Sequence, residues 1–195
     1  MSVPSVFQKL TSALDRSGIA YMLTGSFAGA YYSAPRATQD IDVVISATPA
    51  QLRAFTERLP RNEYYVDVDA ALEAHKRQSL FNVLDLATGW KIDLIIRKSR
   101  AFSQEEFHRR KMIHLQGIPL FVASAEDIIV SKLEWAKLGQ SQRQIEDVAA
   151  ILRTGGDSLD RAYLEKWIRE LRLTGEWNDA RRKAGVGDTE EKPGT

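Results

Sequence analysis

The stretch LTGSFAGAYYSAPRATQDIDVVI, Leu23 to Ile45, decides the fold. An apolar run, Ile19 to Leu23, leads to a turn at Gly25-Ser26. A small-residue helix is predicted over Phe27 to Tyr32, a break at Pro35, and then a β-branched strand from Asp40 to Ile45. Residues two apart on a strand share a face. Asp40 and Asp42 therefore aim two carboxylates the same way, while Ile41 and Val43 face the core. Like charges that close favour a cation between them. An oxygen-only donor set suits Mg²⁺, which a pair of carboxylates commonly holds together with substrate phosphates. Gly25 permits a sharp strand-to-helix turn and close approach of a ligand. The helix start after it offers free N–H groups to an anion.

Composition narrows the alternatives. The chain has 195 residues, enough for a domain with a real core or for a domain plus a small helical appendage. A formal net charge of +1 gives no bulk signal for nucleic acid or membrane binding. The absence of cysteine removes disulfides, thiolate metal sites and cysteine nucleophiles. His75, His108 and His114 are scattered and fit no metal-ligand spacing. No apolar run reaches membrane-spanning length, and MSVPSVFQKL lacks the layout of a secretory signal, so a cytoplasmic location is expected.

The remaining pattern reads in order. Helices are expected over Val3 to Asp15, over Ser46 to Pro60 with Thr48 as cap, and over Asp69 to Lys76 with Asp69 as cap. Glu63 to Val68 reads as a short strand. Ser79 to Ala87 and Trp90 to Arg97 form a predicted hairpin around Thr88-Gly89. Ser103 to Arg110 reads as a helix capped by Ser103, and Lys111 to Val122 as a hairpin turning at Gln116-Gly117. From Ser124 the pattern is helical, with Ile128, Ile129, Leu133, Trp135 and Ala136 expected on an inward face. Further helices are expected over Gln142 to Leu152, over Asp157 to Leu171 with Leu159, Tyr163, Leu164, Trp167 and Ile168 buried, and over Gly175 to Ala184. The expected organisation is an α/β domain over 1–123, a helical region over 124–184 and a polar, disordered tail over 185–195.

Thr24-Gly25-Ser26, a thirteen-residue spacer and Asp40-Ile41-Asp42-Val43-Val44 together resemble the signature of the DNA polymerase beta nucleotidyltransferase superfamily. The resemblance implies a small mixed, twisted sheet with flanking helices, followed by a C-terminal helical bundle. It also implies a third acidic residue on a later strand, and Asp93 in Lys91-Ile92-Asp93-Leu94 matches that position. The alternative for Asp93 is a salt-bridged strand residue. Arg36 and Thr38 lie in the spacer just before the Asp pair, where basic residues recur in bacterial members, and Arg36 matches them. A guanidinium there would face triphosphate oxygens, and the alternative is a loop arginine in solvent.

The helical half carries a narrower resemblance. Ser124-Ala125-Glu126-Asp127 followed by Lys132, and Gln144-Ile145-Glu146-Asp147-Val148, resemble two elements of the nucleotidyltransferase toxins of bacterial abortive-infection, type IV-like toxin–antitoxin systems. The resemblance implies that Lys132 contacts nucleotide phosphates and that Asp147 acts near the acceptor. Gln144 stands where the family has an aspartate. The alternatives are a solvated helix lysine and a surface charge.

The implied activity is nucleotidyl transfer. Gly25, Ser26, Arg36 and Lys132 would bind the NTP, and Asp40, Asp42 and Asp93 would hold two Mg²⁺ ions and serve catalysis. RNA or protein is the expected acceptor of a toxin-like enzyme, with an antitoxin as partner. A small-molecule nucleotidyltransferase of the antibiotic-modifying kind is the alternative, as is an inactive nucleotide-binding regulatory module.

Overall fold

A computed structural model describes residues 3–33, 38, 40–115 and 117–186 of the protein. The described residues form two compact units. The first runs to Ala30 and continues through the described residues up to Ser124; the second takes Tyr31 to Ser33 and the described chain from Ala125 onward.

The first unit is built on a seven-stranded mixed sheet. Its strands are β1 (Ala20–Thr24), β2 (Asp40–Ser46), β3 (Tyr64–Val66), β4 (Leu80–Asp85), β5 (Lys91–Ile96), β6 (Lys111–Leu115) and β7 (Ile118–Val122). Their order across the sheet is β3-β4-β5-β2-β1-β7-β6. β2 pairs parallel with β5 and β1 pairs parallel with β7, whereas β1–β2, β3–β4, β4–β5 and β6–β7 are antiparallel. Both predicted hairpins form, β4–β5 and β6–β7. β1 and β2, near the centre, have the longest buried runs, whereas the edge strand β6 has no buried residue.

Helix α1 (Val3–Arg16) precedes β1, and α2 (Gly25–Tyr32), α3 (Pro49–Arg58), α4 (Val68–Arg77) and α5 (Ala101–His108) connect strands. In α1 the helical spacing of Val6, Phe7, Leu10 and Leu14 buries all four. α3 starts as expected: Thr48 Oγ1 accepts from Gln51 N–H, the Gln51 side chain accepts from Thr48 N–H, and Pro49 opens the first turn.

Two expected caps move. Asp67, not Asp69, caps α4, because its Oδ1 accepts from both Asp69 N–H and Ala70 N–H. The residue two positions earlier has the extended backbone that a cap requires, and Asp69 falls in the first turn. Ser103 is not the cap of α5 either. The helix begins at Ala101, and Ser103 lies buried inside it, accepting from Arg100 Nε at 3.0 Å.

The second unit consists of α6 (Ala125–Gly139), α7 (Gln142–Gly155), α8 (Arg161–Glu170) and α9 (Thr174–Ala184), with a single 3₁₀ turn at Gly156–Ser158. α8 starts later than expected because Asp160 caps it, accepting from Tyr163 N–H. Ile128, Ile129, Leu133 and Ala136 are buried in α6, but Trp135 is 57% exposed. Trp135 stands seven residues, close to two helical turns, beyond the buried Ile128, so helical spacing alone would place it on that face; the lack of packing over that position among the described residues leaves it exposed. Tyr163 is half-buried rather than buried, with its hydroxyl donating to Asp127 at 2.5 Å. The predicted tail falls, from Gly187 on, outside the described residues. Among the described residues, no helix is long and apolar enough to cross a membrane. A mixed sheet with flanking helices and helices at the C-terminal end is the class the sequence implied.

Candidate active site

Strand register assembles the candidate site. β2 lies between β1 and β5, and Asp42 is the Cα partner of Thr24 on one side and of Asp93 on the other. Asp40 is paired with Lys91 on β5, and Asn82 on β4 is paired with Asp93. Directly paired residues share a face. Asp40, Asp42, Asp93, Lys91 and Asn82 therefore lie on one face of the sheet. The intervening Ile41, Val43, Ile92 and Leu94 point the other way and are buried.

Gly25 follows Thr24 directly and opens α2 with φ of +65°, in the left-handed region. A Cβ built there would meet Asp42 Oδ2 at 2.0 Å and Asp42 Cβ at 2.8 Å. The glycine thus serves two needs, a backbone conformation and a space that the Asp42 side chain fills. Ser26 follows in the first turn of α2.

The charges on this face are already partly compensated. Lys91 Nζ lies 3.1 Å from Asp93 Oδ2 and 3.5 Å from Asp40 Oδ1. Asn82 Nδ2 donates to Asp93 Oδ1 at 2.5 Å. The Asp93 side chain is only 13% exposed, so an ionised carboxylate there requires such partners. The hydrogen bond to Asp93 holds the Lys91 ammonium above its ordinary pKa, partial burial opposes this, and the charge of Asp40 adds to it. Among the described residues, no three His, Asp or Glu side chains stand together closely enough to hold a metal ion as they are. The donor set nevertheless fits a hard divalent cation in kind. It is all oxygen, it lies on one face, and an ammonium has already been drawn between two of its members.

An aromatic series flanks the turn. Phe27 stacks edge-on against Phe7 at 5.3 Å and lies 5.5 Å from the ring of Trp90, the residue before Lys91. Thr38 stays close to the Asp pair, with its hydroxyl 3.4 Å from Asp40 N. Arg36, the expected triphosphate ligand, lies outside the described residues.

Lys132 and Asp147 belong to the second unit, where they meet each other. Lys132 Nζ donates to Asp147 Oδ2 at 2.7 Å and to Gln144 Oε1 at 3.0 Å. Their side chains are 5% and 15% exposed, which excludes a solvated helix lysine. Gln144, which replaces the aspartate of the resembled element, takes part in the same buried cluster and joins α6 to α7. The neighbouring Asp127 is fully buried, and Glu126 accepts from Asp160 N–H at 3.0 Å.

Asn82 and the bridging position of Lys91 were not identified from sequence. The signal lies in the hairpin, but its turn is wider than a two-residue loop at Thr88-Gly89. Asp85 accepts from Ala87 N–H and Thr88 N–H, and Asp85 N–H bonds to Trp90 O. This four-residue loop sets Asn82 against Asp93, where a two-residue loop would have set it against Ile95.

No family model matches the chain, and no curated protein matches it. Solved structures do match in fold. The antibiotic-resistance factor ANT(2'')-Ia is similar with a TM-score of 0.55 at 16% identity, over 91% of this chain and 95% of that one. It has also been solved in complex with adenylyl-2''-tobramycin. The lincomycin-bound lincosamide antibiotic adenylyltransferase LnuA is similar with a TM-score of 0.53 at 11% identity, over 77% of this chain and 96% of that one. An antigenic nucleotidyltransferase-like protein from Paracoccidioides brasiliensis gives 0.54 at 16% identity, over 92% and 91%. At such identities the likeness establishes the fold: the chain has a nucleotidyltransferase fold.

Proposed function

We propose that this protein transfers a nucleoside monophosphate from an NTP to an acceptor hydroxyl, which attacks the α-phosphorus, loses its proton and displaces pyrophosphate. The observation that carries this reading is the register of Asp42 between Thr24 and Asp93, which gathers Gly25, Asp40, Asp42 and Asp93 at one end of three adjacent strands. In this reading Gly25, Ser26 and the start of α2 receive the triphosphate. Asp40, Asp42 and Asp93 are the residues that would hold Mg²⁺. Divalent metal bound there would neutralise phosphate charge and help activate the attacking hydroxyl. In this reading Asp93, held by Asn82 and Lys91, would orient or deprotonate the acceptor. Arg36 and Lys132 are assigned to the nucleotide and Asp147 to the acceptor side on the strength of the motif resemblance alone.

The same resemblance favours RNA or protein as acceptor, in a toxin-like enzyme with an antitoxin partner. A second reading is a small hydroxylated acceptor of the antibiotic kind, favoured by the fold shared with ANT(2'')-Ia and LnuA. Incubation with each α-labelled NTP and Mg²⁺ tests both, with cell RNA, lysate protein, an aminoglycoside or a lincosamide offered as acceptor. Label on RNA or protein supports the first reading, and label on the antibiotic the second. No transfer with any acceptor, or transfer undiminished in Asp42→Asn, overturns the assignment of the site.

A further inference from the structure

We propose that Lys91 is a resident counter-cation of Asp40 and Asp93: its ammonium positions both carboxylates in the metal-free protein and competes with a divalent cation for their oxygens. This rests on the reading of Asp40, Asp42 and Asp93 as metal ligands. Three observations carry it. The Lys91 ammonium reaches two carboxylates on neighbouring strands, at 3.1 Å and 3.5 Å. Strand register places it there, since Lys91 is the partner of Asp40 across the β2–β5 ladder and stands two residues before Asp93 on the same face. Its side chain is 45% exposed, so its flexible stem can swing into solvent without opening the core.

The two bonds to Asp93 have different standing. Asn82 holds Oδ1 and Lys91 holds Oδ2. When Lys91 leaves, Asn82 still fixes the carboxylate and Oδ2 becomes available. Asp40, 52% exposed, keeps the freedom to turn toward an incoming ion. A cation of higher charge replaces an ammonium at such a site because its Coulomb attraction to the same oxygens is larger. Lys91 is therefore a positioning residue that sets the threshold for metal binding.

Mn²⁺ binding in the absence of nucleotide, followed by calorimetry and by the free Mn²⁺ resonance signal, tests the proposal. The variants compared with wild type are Lys91→Met, Lys91→Arg, Lys98→Met and Asp42→Asn. Loss of the Lys91 ion pairs to half-exposed Asp40 and to the more buried Asp93 predicts that Lys91→Met binds Mn²⁺ about fivefold more tightly than wild type. The metal-free Lys91→Met protein should melt lower than wild type and regain more on adding Mn²⁺. Lys91→Arg should stay near wild type, and Lys98→Met, which removes the same charge beyond the end of β5, should change little. Equal or weaker binding by Lys91→Met overturns the proposal, as does an equal gain in Lys98→Met, which would make the effect one of net charge. If Asp42→Asn still lowers Mn²⁺ affinity in that case, the metal-site reading survives while the role of Lys91 falls. Mn²⁺ affinity indifferent to Asp42→Asn overturns both.

Discussion

A Cβ added to Gly25 would lie 2.0 Å from Oδ2 of Asp42, within the volume of the carboxylate itself. The end of β1 and the start of β2 are thus fitted to each other at one atom, and the glycine is required by its neighbour as well as by its own backbone.

Gly25→Ala should therefore disturb fold and site together. A non-glycine residue at positive φ costs about 1–2 kcal/mol, and the displaced Asp42 side chain adds to that. We expect a loss of roughly 2–3 kcal/mol in urea unfolding and a larger proportional loss of nucleotidyl transfer. Wild-type stability with wild-type transfer in Gly25→Ala would refute the close fit.

Asp42→Asn keeps the shape of the site and deletes one charge. Adjacent carboxylates about 4 Å apart repel by up to ~4 kcal/mol at an effective dielectric of roughly 20, before solvent and counter-charges relieve them. Lys91 already relieves Asp40 and Asp93, so only part of this repulsion remains for Asp42→Asn to remove, and the ligand response is the deciding readout. The additional stabilisation from Mg²⁺ and NTP should vanish, because a ligand stabilises only the state it binds. Thermal melts of both proteins with and without Mg²⁺-NTP decide this, and a lower melting point with a normal ligand shift counts against the site.

Lys132 and Asp147 form a buried pair, so each single substitution takes an oppositely charged neighbour from a buried group. Lys132→Ala should cost about 3 kcal/mol of folding stability, and Asp147→Leu a comparable amount. The double variant Lys132→Met/Asp147→Leu should be more stable than either single variant, since both buried charges are then removed. Denaturant unfolding of the four proteins measures the coupling. Additive losses would show that the pair is not energetically linked.

Burial pushes the Tyr32 phenol up to about 12, and the charges of Tyr31, Glu126 and Asp127 act in the same direction. An unfolded tyrosine ionises near pH 10. Between those values the native state keeps a proton that the unfolded state has lost, so the contribution of Tyr32 is complete below about pH 10 and falls as pH rises toward 12. Tyr32→Phe should flatten the decline in stability over that window and leave the tyrosinate absorbance rise near pH 10 unchanged. A smaller rise near pH 10 in the variant would mean that Tyr32 ionises normally.

Much of this protein is written locally in its sequence. The helical spacing of Val6, Phe7, Leu10 and Leu14, the Thr48-Pro49 helix start and the pairing of both hairpins depend on residues close in the chain, and all form, although the β4–β5 turn is wider than Thr88-Gly89 alone. Asp40 and Asp42 share a face for the same reason, since a strand alternates with a period of two. The class of the fold follows from the order of these elements. Tertiary structure decided what depends on partners distant in the chain. Asp42 meets Asp93 because β2 runs parallel to β5 across a long crossover, and no local pattern specifies that register. Asn82 faces Asp93 only because the Asp85 side chain widens the intervening turn. Lys132 reads in sequence as a charged helix residue, yet packing of α6 against α7 buries it on Asp147 and Gln144. Trp135 reads as core and is exposed, because a helix face is settled by what packs on it. Local chemistry determines which elements form and which side chains they carry; only the long-range pairing of strands and helices determines which charges meet.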